Sequence, residues 1–116
     1  MKSTENPKKD SMPLVSVITP SYNSSSFIKE TIESVQAQSY SNWEMIIVDD
    51  HSKDDSVHLI SEYIEKDQRI KLIPLTNNGG AARARNVAIK EANGDYFSFL
   101  DSDDLWLPTN LEEQVA

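Results

Sequence analysis

Apolar residues fall into four short continuous runs, and the stretches between them switch to helical spacing. Leu14-Val15-Ser16-Val17-Ile18-Thr19 reads as a buried strand stopped by Pro20. Ser24 to Ser26 offer a cap for a helix to about Gln38, with Ile28, Ile32 and Val35 on one face. Trp43 to Val48 is a second strand that ends at Asp49-Asp50. Ser52-Lys53-Asp54-Asp55 fits a capping box before a helix carrying Val57, Ile60 and Ile64, its apolar face widened by Leu59 and Tyr63. Ile70 to Ile73 is a third strand, stopped by Pro74. Asn77-Asn78-Gly79-Gly80 is a loop, and Ala81 to Asn93 an alanine-rich helix ended by Gly94 as its C-terminal glycine. Tyr96 to Leu100 is the fourth strand, and Pro108 can begin a further helix. Strands alternating with helices predict an α/β domain: a Rossmann-like parallel sheet, right-handed crossovers and helices on both faces. Residues 1–13, rich in Lys, Ser and Asn, read as a disordered tail, leaving 14–116 as the domain.

Composition narrows the function. The 116 residues hold one domain at most, and 38% hydrophobic content can supply a core. A net charge of −8 argues against a nucleic-acid partner, which requires a basic face. The absence of cysteine excludes disulfides and thiolate metal sites. His51 and His58 have no metal-ligand spacing with other His or Cys. Trp43 and Trp106 read as packing residues. No apolar run suits a signal peptide or a membrane span, so a cytoplasmic location is expected, peripheral at the inner face of the membrane at most.

Polar residues gather at one end of the predicted strands, where open parallel sheets bind ligands. Those ends carry Thr19-Pro20-Ser21-Tyr22-Asn23, Asp49-Asp50-His51-Ser52, Asn77-Asn78-Gly79-Gly80 and Asp101-Ser102-Asp103-Asp104. Three carboxylates in one turn repel unless solvent or a cation offsets them. The turn is therefore either solvated or a site for a hard divalent cation. Gly79-Gly80 lead into a helix N-terminus that attracts anions. Arg83 and Arg85 lie in its first turns, where positive charge opposes the helix dipole. They contact either a bound anion or surface carboxylates. No Gly-Lys-Ser/Thr and no Gly-x-Gly-x-x-Gly occurs, so neither a Walker loop nor a dinucleotide fingerprint is present. Asp49-Asp50 can accept hydrogen bonds from a nucleobase or ribose, or cap the next helix; Tyr22 can stack on a base or pack at the rim.

Four segments together resemble the ordered motifs of family 2 glycosyltransferases. They are Val15–Asn23, Ile47–Asp54, Gly79–Asn86 and Phe99–Pro108, and the resemblance spans about residues 13–116. It implies the N-terminal half of a GT-A domain and a nucleotide-sugar donor, UDP-linked by expectation. By this likeness Thr19, Pro20 and Tyr22 line the nucleotide pocket. Asp50 contacts the base with Asp49 beside it, and Arg85, or Arg83, approaches the nucleotide. Asp101 sits near the ribose or metal, Asp103 is the principal ligand of Mn²⁺ or Mg²⁺, and Asp104 stands behind them. The family inverts the anomeric centre, and its catalytic base lies downstream of these motifs, so no residue here is assigned that role.

The resemblance further implies a glycan or lipid-linked acceptor and surface-polysaccharide assembly. A fourth strand without a further neighbour would leave an edge suited to homodimerisation. Two other classes compete: a nucleotide- and metal-binding module without turnover, and a phospho-acceptor signalling domain. The latter requires a Lys at a late strand end, where this chain has Asp101-Ser102-Asp103-Asp104.

Overall fold

The computed structural model describes residues 12–116. The expected tail therefore lies outside the described residues except for Met12 and Pro13. Those two are anchored: the Asn42 side chain donates to the Met12 carbonyl and the Tyr40 hydroxyl to that of Pro13.

Four parallel strands, β1 (Val15–Ser21), β2 (Trp43–Asp49), β3 (Ile70–Pro74) and β4 (Tyr96–Phe99), form a sheet in the order β3-β2-β1-β4. Helices α1 (Ile28–Gln36), α2 (Ser56–Lys66), α3 (Ala81–Glu91) and α4 (Asn110–Val115) alternate with and follow them. Side chains alternate across the sheet. Val15, Val17, Trp43, Met45 and Ile47 face a core with Ile28, Ile32 and Val35 of α1, Ile60 of α2 and Leu111 of α4. Ile18, Ile46 and Val48 meet Ala84 and Ala88 of α3 on the opposite face. Small alanines let α3 lie close to the two central strands. The expected α/β sheet with helices on both faces is thus present. Trp43 and Trp106 are packing residues, with the Arg69 guanidinium 3.7 Å above the Trp43 ring.

Several boundaries differ from the sequence expectation. Pro20 does not stop β1; it pairs in register with Val48, and β1 runs on to Ser21. The carbonyl of Ile18 accepts from the Leu100 amide on the β4 side, so Pro20, two residues on, faces the same side. The β1–β4 ladder has ended at Ile18–Phe99, so the missing N–H removes no bond there. Ser24 to Ser26 do not cap α1: the helix begins at Ile28, and the Ser24 carbonyl accepts from the Phe27 and Ile28 amides. α1 closes at Gln36 and α3 at Glu91, each two residues short of expectation. The capping box at Ser52–Asp55 is absent. Ser52 instead donates to Asp49, and Asp54 accepts from the Ser56 amide. Gly94 is no helix cap; it packs against the start of β1. A Cβ there would stand 2.4 Å from Ser16 Oγ and 2.7 Å from the Ser16 amide nitrogen.

Candidate functional site

The strand order reverses direction beside β1. The chain leaves β1 toward β2 through α1 on one face, and it reaches β4 from β3 through α3 on the other. At the carboxyl ends of β1 and β4 this leaves a crevice, the usual ligand position in an open α/β sheet. A cleft of about 300 Å³ occupies it. Pro20 lines it from the end of β1, Tyr22 and Asn23 from the loop that follows, Asp50 from just past β2, Arg85 from α3, and Asp101 and Asp103 from the turn after β4. Five of the expected nucleotide-pocket residues (Pro20, Tyr22, Asp50, Arg85 and Asp101) and the expected metal residue Asp103 are thus brought together.

Two expected pocket residues lie elsewhere. Asp49 is buried beneath the rim, where its carboxylate accepts from the Ser52 amide at 2.8 Å and the Ser52 hydroxyl at 2.6 Å. Thr19 is fully buried, and its hydroxyl is the one buried side-chain polar atom among the described residues without a hydrogen-bond partner. Neither lines the cleft.

Asp50 has a role that capping and base contact both missed. Its two carboxylate oxygens accept from the Gly79 amide at 2.8 Å and the Gly80 amide at 2.9 Å. The Asn78 side chain donates to its carbonyl. The glycine-loop amides expected to attract a ligand anion are therefore satisfied by an internal one. Gly80 enters α3 at φ +92°, a conformation that favours glycine. Each Asp50 oxygen keeps acceptor capacity for a donor in the cleft. Arg83 braces the same loop by donating to the Asn77 carbonyl and side chain, at 3.2 and 2.7 Å. Arg85, by contrast, reaches the cleft and lies 3.4 Å from Asp101 Oδ1. Of the two arginines, Arg85 is the one placed for an anion in the cleft.

The loops after β1 and β2 are laced together. The Asn23 amide donates to Ser52 Oγ, the Lys53 amide to Asn23 Oδ1, the Ser24 amide to Ser56 Oγ and the Ser25 amide to Asp54. Asn23 and His51 both take positive φ, at 49° and 65°, and this lattice holds the two turns. Burial pushes the Asp54 carboxyl up, but hydrogen bonds from Ser56 and Ser25 outweigh it and bring it down to about 2.

Asp101, Asp103 and Asp104 each place a carboxylate oxygen within 4.8 Å of the others, all exposed. Hard oxygen donors at that separation fit a divalent cation such as Mg²⁺ or Mn²⁺. Sequence reading missed the residues that hold this turn. Thr31 and Ser34 on α1, and Gln38 just past its end, point polar groups toward residues 102–111. Their spacing of three and four residues was the available signal.

The sequence model described as Glycosyl transferase family 2 matches residues 16–116. The chain belongs to this family. The family 2 chain is 52% identical over 103 residues to a putative teichuronic acid biosynthesis glycosyltransferase, TuaG of Bacillus subtilis, covering 89% of this chain and 41% of that protein. It is 46% identical over 103 residues to WfgD of Escherichia coli, a UDP-Glc:α-D-GlcNAc-diphosphoundecaprenol β-1,3-glucosyltransferase, covering 89% and 40%. Among solved structures it resembles S. aureus TarS in complex with UDP (TM-score 0.81, 36% identity, covering 86% of this chain and 30% of that one). It also resembles the mannosyltransferase PcManGT of Pyrobaculum calidifontis in complex with GDP-Man and Mn²⁺ (TM-score 0.76, 31% identity, 81% and 28%). The family 2 chain thus spans about two fifths of the length of these curated relatives. Family membership removes the phospho-acceptor alternative. Among the described residues no helix is long and apolar enough to cross a membrane.

Proposed function

We propose that this chain is the donor-binding part of an inverting glycosyltransferase that takes a sugar from a UDP-sugar to a glycan or lipid-linked acceptor. The observation that carries this reading is the convergence of Tyr22, Asp50, Arg85, Asp101 and Asp103 on one cleft at the switch point of the sheet. Tyr22, about half exposed at the rim, offers a face for a base. Asp50 offers acceptor oxygens to the imide N–H of uracil. Arg85 brings a fixed positive charge for a diphosphate in an otherwise acidic chain. Asp103 and Asp101 would hold Mn²⁺ or Mg²⁺, with Asp104 behind them. Such a cation, when bound, would offset the diphosphate charge as the sugar leaves. The UDP in TarS, the UDP-Glc donor and lipid-diphosphate acceptor in the name of WfgD, and the Mn²⁺ in PcManGT support these assignments by relationship. An acceptor of that kind lies at a membrane, which supports peripheral placement at its inner face. Proton removal from the acceptor is assigned to no residue of this chain.

Amide chemical-shift mapping tests the reading. UDP with diamagnetic Mg²⁺ should perturb Tyr22, Asp50, Arg85 and the 101–104 turn together, and leave Lys66 and Asp67 at the far end of α2 unmoved. Shifts confined to one of these segments, or scattered over the surface, would contradict it.

A further inference from the structure

We propose that Thr31 is a positioning residue for the acidic turn: its buried hydroxyl is the donor shared by the carbonyls of Ser102 and Asp104, the residues either side of Asp103, and so sets the direction in which Asp101 and Asp103 face the cleft. The inference rests on the reading of that turn as a divalent-metal site.

The segment after β4 has no sheet to satisfy its backbone. Between Leu100 and Thr109 the chain is irregular, so backbone groups that face α1 find partners outside a strand ladder. α1 supplies them. Thr31, fully buried, has its hydroxyl oxygen 2.7 Å from the Ser102 carbonyl, 2.9 Å from the Asp104 carbonyl and 3.2 Å from the Phe27 carbonyl of its own helix. A hydroxyl has one proton, so it serves one of these oxygens at a time. Ser102 and Asp104 bracket Asp103, and the Asp104 amide closes the turn on the Asp101 carbonyl at 3.0 Å. One hydroxyl is therefore shared by the carbonyls of the two residues that flank Asp103.

Ser34 of α1 and Gln38 just past its end fasten the chain onward. Ser34 Oγ accepts from the Trp106 amide at 3.3 Å. Gln38 donates to the Leu107 carbonyl at 2.8 Å and accepts from the Leu111 amide at 2.9 Å. These two anchor the strap; only Thr31 touches the turn itself. Without that hydroxyl, the Ser102 and Asp104 carbonyls would face an apolar group, while the Phe27 carbonyl keeps the Thr31 amide at 3.1 Å. The turn is then expected to rotate its carbonyls toward water and carry Asp103 with them. Groups that orient metal ligands in this way commonly change metal affinity by about 10–100-fold when removed.

The test uses the full chain and three variants, with Mn²⁺ titrated by electron paramagnetic resonance in the presence of UDP. Thr31→Val, which keeps the shape, should weaken Mn²⁺ binding at least about tenfold. Thr31→Ser, which keeps the hydroxyl, should restore it. Ile32→Val, a core trimming on the same helix, should lower the melting temperature and leave Mn²⁺ affinity unchanged, separating positioning from stability. Unchanged Mn²⁺ affinity in Thr31→Val, with binding intact in the parent, overturns the proposal. If the parent binds no Mn²⁺, the metal reading fails, and hydrogen exchange at the Asp104 amide decides the positioning role. Faster exchange in Thr31→Val than in Thr31→Ser upholds that role, and equal exchange overturns it.

Discussion

Removing the Asp50 carboxylate should loosen the glycine loop before it affects anything else. In Asp50→Ala the Gly79 and Gly80 amides lose their acceptors at 2.8 and 2.9 Å. Hydrogen bonds to a charged group contribute about 1.5–3 kcal/mol each. Gly79 and Gly80 are themselves exposed, so water can replace part of the loss, and the low end applies. The pair then contributes about 3 kcal/mol. For a domain of this size each kcal/mol moves the melting temperature by about 4–8 °C, so Asp50→Ala should melt about 12–24 °C lower. Asp50→Asn keeps one acceptor oxygen and turns an NH₂ toward the second amide, so its loss should be about half as large or somewhat more. Thermal unfolding followed by circular dichroism measures both. In both variants the Gly79 and Gly80 amides should also exchange with solvent faster than in the parent. A melting temperature for Asp50→Ala within about 2 °C of the parent, with unchanged exchange at both glycines, would refute the clasp.

Four further outcomes are expected. Asp103→Ala should reduce Mn²⁺-dependent UDP binding at least about tenfold, whereas the exposed Glu91→Gln should not; calorimetry compares them. Gly94→Ala should cost about 1–3 kcal/mol in urea unfolding, because the new Cβ meets the Ser16 and Leu14 backbone, which cannot swing aside. Burial pushes the Glu44 carboxyl up, but bonds from Ser16, Asn93 and Lys71 outweigh it and hold it below its ordinary 4.5. Its stabilisation is therefore present above that value and is lost as pH falls through the lower folded one, and Glu44→Gln should flatten the acid limb of the stability profile. Finally, β4 pairs only with β1 among the described residues, and Tyr96, Phe97 and Phe99 are exposed. The chain should self-associate with concentration, and Phe97→Lys should reduce the effect in light scattering.

Much of the framework was legible because it depends on period. Runs such as Trp43 to Val48, bounded by polar turns, allow few readings other than a doubly covered strand. Four of them alternating with helices leave few topologies. The cleft residues were legible for a related reason: strand ends place Tyr22, Asp50 and Asp103 on one rim whatever the loops do. What stayed hidden depends on which groups meet through space. Pro20 looked like a stop because proline lacks an N–H, and β1 runs through it because the neighbour on the β4 side ends before it, a fact of register rather than composition. Gly94 looked like a cap because nothing local reveals that Ser16 passes against it. Asp49 and Asp50 are adjacent and chemically alike, yet one turns inward to Ser52 and the other reaches Gly79 and Gly80. Thr31 escaped notice because a threonine in a helix seldom signals more than its own turn.

The central claim is that the cleft between β1 and β4 holds a nucleotide with a divalent cation. The most direct measurement is calorimetric titration of the chain with UDP, with and without Mn²⁺, using CDP and GDP as controls. The account predicts saturable binding that requires Mn²⁺, prefers UDP and is lost in Asp103→Ala. Binding that ignores Mn²⁺ or does not discriminate among the three nucleotides, or no binding by a chain whose circular dichroism shows it folded, would contradict it.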